Sequence, residues 1–365
     1  MTTAYTAAQI FTGTEWLSDF AILVEDNKVH SLLPTSELDK SMAVQDFPDR
    51  FIAPAFIDIQ LYGAHGTLLS VEPNPQTVSN IKEYCRGGGA ALCLPTVATN
   101  TKEVFKRSID AVRQYWEGGG DGVWGLHLEG PWINSIKRGA HLEHLIHAPE
   151  NEEVTEILDY GKGVIKMITL APEVCTLDVV KLIQAQGVIV AAGHTNATFE
   201  EATNAFDGGI GTVTHLYNAM SPLGHRAPGV VGAVLAHDKV TASIIADGHH
   251  VDFAAIKIAK EIMKERLFII TDVVTETTEG PYQHQRAGDK FESAGILSGS
   301  AITMFGSFRN LVQKVGIERG EALRMCSLYP ARVLGCANAY GKIEPGYPAN
   351  MVIIDNDLAG AKPSF

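Results

Sequence analysis

The sequence is poor in cysteine, long apolar runs and basic clusters, and each shortage excludes a class of protein. Its 365 residues include five widely spaced cysteines and no CxxC pair. Neither a disulfide framework nor a cysteine-rich zinc site is therefore expected. No uninterrupted apolar run reaches about 18 residues, and no basic segment precedes an apolar one at the N-terminus. We therefore expect no membrane span and no signal peptide.

The charge balance is acidic. Lys and Arg total 29 against 42 Asp and Glu, which gives a formal net charge of -13. A nucleic-acid-binding protein normally carries a basic stripe, so no nucleic-acid partner and no membrane partner are expected. The default compartment is a reducing cytoplasm. An anionic substrate would need a local group of Arg and His side chains in such a protein.

The pattern of apolar runs predicts an α/β fold. Residues 1 to about 50 contain short strands, and after residue 51 runs of strand length alternate with helical stretches, as in repeated βα units. Eight such runs are the number that a (β/α)8 TIM barrel requires. After about residue 335 the chain returns to strand character at 341–343 and 349–354. The predicted barrel strands are 51–61, 90–97, 123–129, 164–170, 188–194, 212–215, 241–247 and 267–272, and the predicted helices include 101–116, 177–186, 254–266 and 303–315.

Four of these predicted strands end in a polar residue that can bind a metal or move a proton. They are Glu129, His194, His215 and Asp272. Each alone has a structural explanation, such as a loop carboxylate, a structural histidine or a helix N-cap. In a barrel, however, all strand carboxyl ends converge on one face. Two imidazoles and a carboxylate would leave a position open for water on a divalent metal, and a further carboxylate could act as general base.

The loops on the same predicted face supply further donors. His141 lies after the third strand, Asn218 and Ala219 lie after the sixth, and His250 ends the run DGHH. Arg226 lies in the loop PLGHRAPG. Arg226 and His250 could hold an anion, since a guanidinium matches phosphate geometry. A solvated Arg226 and a locally packed His250 are equally compatible with the sequence.

A series of motifs runs in order along nearly the whole chain: GLHLEGPW at 125–132, RGAH at 138–141, GHTNAT at 193–198, THLYNAM at 214–220, DGHH at 247–250 and LSGSAITM at 297–304. Together they resemble N-acetylglucosamine-6-phosphate deacetylases of the amidohydrolase superfamily. The resemblance implies a (β/α)8 barrel with a small β-sandwich formed by both chain ends, and a homodimer. It divides the chain into 1–52 (sandwich), 53–336 (barrel) and 337–365 (sandwich).

The resemblance also implies residue roles in hydrolysis of N-acetyl-D-glucosamine 6-phosphate to D-glucosamine 6-phosphate and acetate, a step of amino-sugar catabolism. Glu129, His194 and His215 would bind one divalent metal per chain, with Zn²⁺ as first choice and Fe²⁺, Co²⁺ or Mn²⁺ as alternatives. Asp272 would act as general base and then as general acid, and His141 would polarise the acetyl carbonyl. The substrate would be held by Asn218, Ala219, Arg226 and His250, and the pocket lined by Ala140, Leu297, Ser298 and Gly299.

Three departures from the family pattern stand out. Many amidohydrolases carry His-x-His after the first strand for a second metal, but here Gln60 and Tyr62 occupy these positions. A neutral amide and a protonated phenol are poor ligands for a divalent cation, so one metal is expected. The stretch between Asp272 and Leu297 is short for the family. A further strand is expected where the chain stops at Phe365.

Other functions remain as alternatives. A deacetylase for the N-acetylgalactosamine epimer would differ only at sugar C4, and no residue reads that hydroxyl unambiguously. A cyclic-amide hydrolase commonly uses two metals, which the absence of His-x-His argues against. A non-catalytic barrel scaffold predicts erosion of the ligand set, yet Glu129, His194, His215 and Asp272 are all retained.

Overall fold

The chain begins with a run of antiparallel and parallel strands that form one edge of the molecule. The computed structural model describes residues 2–365. Between the third and fourth strands, Asp26 and Asn27 have φ values of 49° and 59°. Asp and Asn tolerate this left-handed conformation, which a tight hairpin turn requires at both central residues. The strands are β1 (Thr3–Phe11), β2 (Trp16–Leu17), β3 (Phe20–Glu25), β4 (Lys28–Pro34) and β5 (Ala43–Pro54).

Eight parallel strands then form a TIM barrel, as predicted. The predicted run 51–61 is divided, because its first residues belong to β5 and only the rest enters the barrel. The other predicted runs agree within a few residues. The barrel strands are β6 (Phe56–Leu61), β9 (Ala90–Ala98), β10 (Leu126–Glu129), β11 (Ile165–Leu170), β12 (Ile189–Ala192), β13 (Thr212–Val213), β14 (Thr241–Ile245) and β15 (Leu267–Ile270), and β7 (Gly63–Ala64) and β8 (Thr67–Leu68) form a short hairpin at the mouth.

The helices around the barrel begin at polar caps. Thr101 accepts a hydrogen bond from the backbone N–H of Val104, and Thr198 and Glu201 form a reciprocal capping box. The four predicted helical stretches are confirmed. The helices are α1 (Pro75–Gly87), α2 (Lys102–Glu117), α3 (Asn151–Tyr160), α4 (Leu177–Ala185), α5 (Phe199–Asp207), α6 (Gly229–Ala236), α7 (Phe253–Met263), α8 (Met304–Asn310), α9 (Arg319–Cys326) and α10 (Leu328–Val333), with short helical turns at Thr35–Glu37, Ser135–Lys137, Glu143–Leu145, Lys264–Arg266 and Leu311–Val315.

Both chain ends meet in one seven-stranded sheet, here called the end sheet, as expected. Its C-terminal strands are β19 (Met351–Asp355) and β20 (Ala361–Pro363), and β19 pairs antiparallel with β5. Apolar side chains from both ends form its buried core, including Ile10, Ile22 and Ile353. Residues 341–343, expected to be a strand, are irregular. The domain boundaries at 52 and 336 stay a prediction.

A three-stranded sheet follows the barrel's last strand and lies beside the mouth. It consists of β16 (Gln285–Ala287), β17 (Lys290–Ser293) and β18 (Ile296–Ser300). Ser300 exchanges backbone hydrogen bonds with the segment after β15: its N–H donates to Asp272 O at 2.9 Å, and its carbonyl accepts from Val274 N at 3.2 Å. Across residues 2–365, none of the helices combines the length and apolar character that membrane crossing requires.

Candidate active site

The four predicted strand-end residues meet at the carboxyl face of the barrel. Glu129 ends β10, and His194, His215 and Asp272 follow β12, β13 and β15 within a few residues. All four side chains are buried. The last three have φ values of 46°, 37° and 56°, a left-handed conformation that costs a non-glycine residue roughly 1–3 kcal/mol. Surrounding contacts must hold this strained backbone in place.

Three donor atoms converge on one point in the mouth. Glu129 Oε1 lies 3.3 Å from His194 Nε2 and 3.1 Å from His215 Nε2, and the two imidazole nitrogens are 3.1 Å apart. A tetrahedral zinc site with bonds of about 2.0–2.2 Å would separate its donors by roughly 3.3–3.6 Å. Two histidines and one carboxylate with nearly this spacing fit a divalent metal, with room for a further ligand.

The two imidazoles of the cluster are held in different ways. His194 Nδ1 lies 2.9 Å from the carbonyl oxygen of Lys137. Because only a protonated nitrogen can donate to a carbonyl, the Nε2 lone pair of His194 points into the centre. The backbone N–H of His215 donates to Ser243 Oγ at 2.8 Å, while its Nδ1 has no hydrogen-bond partner among the described residues. The ligand atom of His194 is therefore oriented by a hydrogen bond to its own ring, whereas that of His215 is not.

The charge of Glu129 dominates the electrostatics of the mouth. Burial by itself would raise the pKa of Glu129, but its contacts with the surrounding imidazoles hold that pKa well below its usual range. Burial likewise opposes protonation of His215, yet its hydrogen bond to Glu129 raises the pKa of this imidazole. The carboxylate is thus ionised and attracts positive charge, as a metal ligand requires.

Asp272 lies beside this centre and has the opposite tendency. Burial raises the pKa of the Asp272 carboxyl, and the nearby charge of Glu129 raises it further, against the effect of His215 and His250. Its Oδ1 accepts from Gln60 Nε2 at 2.9 Å and lies 3.2 Å from Tyr62 Oη. A carboxylate with a raised pKa next to the ligand cluster is suited to accept and return a proton.

His141 touches the centre, but its hydrogen bonds distinguish it from the ligands. Glu129, His141 and His194 also offer ligand atoms within 4.8 Å of one another. However, His141 Nδ1 lies 3.3 Å from the backbone N of Thr99 and 2.7 Å from its hydroxyl oxygen. When both groups donate to Nδ1, the imidazole proton is on Nε2, which lies 3.1 Å from Glu129 Oε2. Burial lowers the pKa of His141 to about 4, with a further contribution from His194. We infer a neutral N–H donor at this position.

The mouth opens into a cavity of about 350 Å³. Most residues predicted for substrate contact line it. Arg226 does not: its side chain is exposed, in the loop that precedes α6, and it is absent from the lining. The predicted residues that line the cavity are Glu129, Ala140, His141, His194, His215, Asn218, Ala219, His250, Asp272, Leu297, Ser298 and Gly299.

The cavity also has lining residues that the sequence did not single out. Lys137 lies after the third barrel strand, and Tyr282 and His284 belong to the segment before β16. Tyr282 donates to the carbonyl oxygen of Thr99 at 2.6 Å, and His284 Nδ1 lies 3.0 Å from Ser298 Oγ. Their only sequence signal was their position in loops after barrel strands, because none of them ends an apolar run.

Comparison with known proteins agrees with this geometry. The model of the amidohydrolase family matches residues 51–365, and that of the NagA composite domain matches residues 3–48. The chain belongs to the amidohydrolase family. An N-acetylglucosamine-6-phosphate deacetylase of Haemophilus influenzae is 33% identical over 355 residues, covering 94% of this chain and 93% of the relative.

Two further comparisons bear on substrate and fold. An N-acetylgalactosamine-6-phosphate deacetylase of Escherichia coli is 29% identical over 369 residues, which cover 98% of this chain and 96% of the relative. The crystal structure of N-acetylglucosamine-6-phosphate deacetylase from Pasteurella multocida superposes with a TM-score of 0.94 at 34% identity, covering 98% of this chain and 96% of that one.

The amidohydrolase family is metal-dependent, and Gln60 and Tyr62, which stand in place of the expected His-x-His pair, contact the ligand cluster. Gln60 Nε2 lies 2.9 Å from Glu129 Oε1 and 2.8 Å from Tyr62 Oη. Tyr62 donates to Glu129 Oε2. Burial raises the pKa of Tyr62 well above its ordinary value, and the charges of Asp272 and Glu129 raise it further. Two neutral donors therefore satisfy the carboxylates on this side of the mouth.

Proposed function

We propose that this amidohydrolase removes the acetyl group of N-acetyl-D-glucosamine 6-phosphate and yields D-glucosamine 6-phosphate and acetate. One observation supports this most strongly: Glu129, His194 and His215 converge beside Asp272 at the barrel mouth. The relatives from Haemophilus influenzae and Pasteurella multocida carry the name of that activity. The enzyme acts on a linear amide in amino-sugar catabolism.

The chain binds one divalent metal, with Zn²⁺ as first choice and Fe²⁺, Co²⁺ or Mn²⁺ as alternatives. Glu129, His194 and His215 hold it, since their donor atoms already have nearly the right separations. When bound, such a metal lowers the pKa of water and polarises a carbonyl. Gln60 and Tyr62 have no strong ligand to offer a second ion. Elemental analysis of purified protein should therefore give about one tightly held metal per chain.

Asp272 carries the proton through the reaction. It accepts a proton from the attacking water and then delivers it to the departing nitrogen, because an amine leaves poorly unless it is protonated. The Nε2–H of His141 donates to the acetyl oxygen as negative charge develops there. Both side chains are buried, so water competes little for these hydrogen bonds.

The sugar phosphate is held by residues that line the cavity. Asn218 and Ala219 are among them, and His250 is the proposed contact of the anion. Burial disfavours a charged imidazole, but the 2.6 Å contact of His250 Nδ1 with Asp247 Oδ2 raises the pKa of His250. His250 Nε2 bonds the carbonyl of Ser298, so a phosphate oxygen would share or replace that partner. For Arg226, a phosphate role rests on the family resemblance alone.

Activity assays on both epimers test the proposal. Metal-loaded protein should release acetate from N-acetylglucosamine 6-phosphate with a higher kcat/KM than from N-acetylgalactosamine 6-phosphate. The relative from Escherichia coli makes the reverse order the first alternative. Unphosphorylated N-acetylglucosamine and a cyclic amide serve as controls. Absence of acetate release from either phosphorylated sugar, at one metal per chain, would rule the function out.

We further propose that the protein is a homodimer, as the family resemblance implies. Size-exclusion chromatography with light scattering gives the mass directly. A dimer should elute with twice the mass of the chain, independently of the metal. A purely monomeric, fully active protein would contradict this part of the proposal.

A further inference from the structure

The barrel closes at a seam between its first strand, β6, and its last, β15, and this seam has few backbone hydrogen bonds. The eight-stranded ladder runs from β15 round to β6, and its two ends do not pair as regular strands. Beyond the strand ends, Asp272 N donates to Gln60 O at 2.9 Å and Tyr62 N donates to Val273 O at 2.8 Å. These two bonds join the segments that carry Gln60, Tyr62 and Asp272, which contact the candidate active site.

A buried carboxylate bridges the seam below these two bonds. Asp58 lies in β6, two residues before Gln60, and only 1% of its surface is exposed. Its Oδ2 accepts from Thr271 Oγ1, and its Oδ1 accepts from Thr271 N at 3.2 Å and Gln60 N at 3.4 Å. The side chain of Asp58 therefore takes over the role of a backbone acceptor between the two strands.

Thr271 is also held from its other side. Its carbonyl oxygen accepts a hydrogen bond from Ser300 Oγ, while its hydroxyl and N–H are both directed to Asp58. The next residue is Asp272, whose φ of 56° is a conformation that a non-glycine residue leaves unless neighbours hold it. The peptide that carries the strained residue is thus fixed at each polar group of Thr271.

We propose that Asp58 is a positioning residue for Asp272 and acts through Thr271. Asp58 does not line the cavity, and its side-chain hydrogen bonds go only to Thr271 and to the backbone of Gln60, so it acts on the site through these residues. Burial raises the pKa of its carboxyl to about 7, which shows the cost of placing it there. A buried carboxyl is hard to justify for packing alone, since an apolar side chain of similar size would avoid that cost. This inference rests on the proposed role of Asp272 as proton carrier.

The test uses Thr271→Val, which keeps the shape of Thr271 but removes the hydroxyl that Asp58 accepts from. Displacement of a catalytic group by about 1 Å can cost on the order of 100-fold. We expect kcat to fall about 10- to 100-fold, with KM within about threefold and metal content unchanged. Thr271→Ser restores the hydroxyl and should restore kcat.

Thr212→Val is the matched control, because the buried Thr212 Oγ1 has no hydrogen-bond partner among the described residues.

A second variant separates positioning from simple loss of stability. Asp58→Ala should reduce kcat at least as much as Thr271→Val, and adding Thr271→Val to Asp58→Ala should cause little further loss. A merely structural role would lower Tm while kcat per folded, metal-loaded site stayed at the wild-type value. That result, or a Thr271→Val enzyme within twofold of wild type, would overturn the proposal. Complete inactivity of the wild-type enzyme on acetylated sugar phosphates would instead refute the proposed function.

Discussion

The barrel mouth and the end sheet are built on opposite principles. The mouth collects buried carboxylates and imidazoles, and three of these residues, His194, His215 and Asp272, have a strained backbone. The end sheet has an apolar core of side chains such as Ile22 and Ile353, and its strands pair in ladders that are interrupted by register shifts between β1 and β5 and between β3 and β4. Burying charge and holding positive φ both reduce stability, whereas burying aliphatic side chains increases it. We conclude that the polar residues of the mouth reduce stability, whereas the core of the end sheet, like the apolar core of the barrel, adds to it.

Of the changes in the mouth, Asp272→Asn should have the largest effect on turnover. The variant keeps size and shape but loses the basic carboxylate, and each of the two proton transfers is typically worth about 10²–10⁴-fold. Turnover should therefore fall by several orders of magnitude. Stability should hold or rise, because a buried charge is removed. Metal content, substrate affinity, kcat and Tm are measured on the same preparation.

Two outcomes for Asp272→Asn would contradict the assignment. Loss of the metal together with activity would make Asp272 a ligand rather than a proton carrier. A change in kcat of less than about tenfold would assign the base to another residue, and His141 would be examined first.

The next largest effect is expected for His141→Ala. Removing one donor to a developing oxyanion typically costs about 10²–10³-fold in kcat. KM should change little, since the acetyl oxygen gains most of its charge after binding. His147→Ala is the control, because His147 is a partly exposed histidine paired with Glu153. Equal kcat for the two variants would show that His141 does not contact the reacting carbonyl.

His250→Ala tests the proposed contact between His250 and the phosphate of the substrate. A lost charge-assisted hydrogen bond is worth about 1.5–3 kcal/mol, so kcat/KM for the phosphorylated sugar should fall roughly tenfold to 150-fold. The unphosphorylated sugar should be affected far less. Arg226→Ala should lose less than His250→Ala, because Arg226 lies outside the cavity lining. Equal losses on both substrates would contradict a phosphate contact, and a larger loss for Arg226→Ala would reassign it.

The smallest effect on turnover is expected from the end sheet. Ile22→Ala removes a fully buried side chain and should lower the free energy of unfolding by about 2–5 kcal/mol. At temperatures well below Tm, kcat and metal content should stay at wild-type values. Denaturant unfolding and acetate release measure the two quantities separately. A fall in kcat of the folded variant would show that the end sheet contributes to the geometry of the mouth.

The barrel and the core of its site could be predicted from residue order alone. Apolar runs of strand length marked the barrel strands, and Glu129, His194, His215 and Asp272 each followed one of them. In a parallel barrel the carboxyl ends share one face, so local pattern was enough to bring residues together that are distant in sequence. Residues 51–61 were predicted as a single strand, whereas the structure divides them between β5 and β6. No polar residue marks the point where the chain passes from the end sheet to the barrel.

The tertiary structure decided the contacts that no local sequence pattern predicts. The side chains of Tyr282 and His284 reach the cavity from a segment without strand-end signals, while Arg226 stays outside it. Asp58 accepts a hydrogen bond from Thr271, which lies 213 positions away in the sequence. Such pairings depend on how the barrel closes and how its loops fold back, because a side chain's partners are set by distances in space. The sequence by itself identified the residues proposed as ligands and as proton carrier, and the fold decided how they are oriented and held.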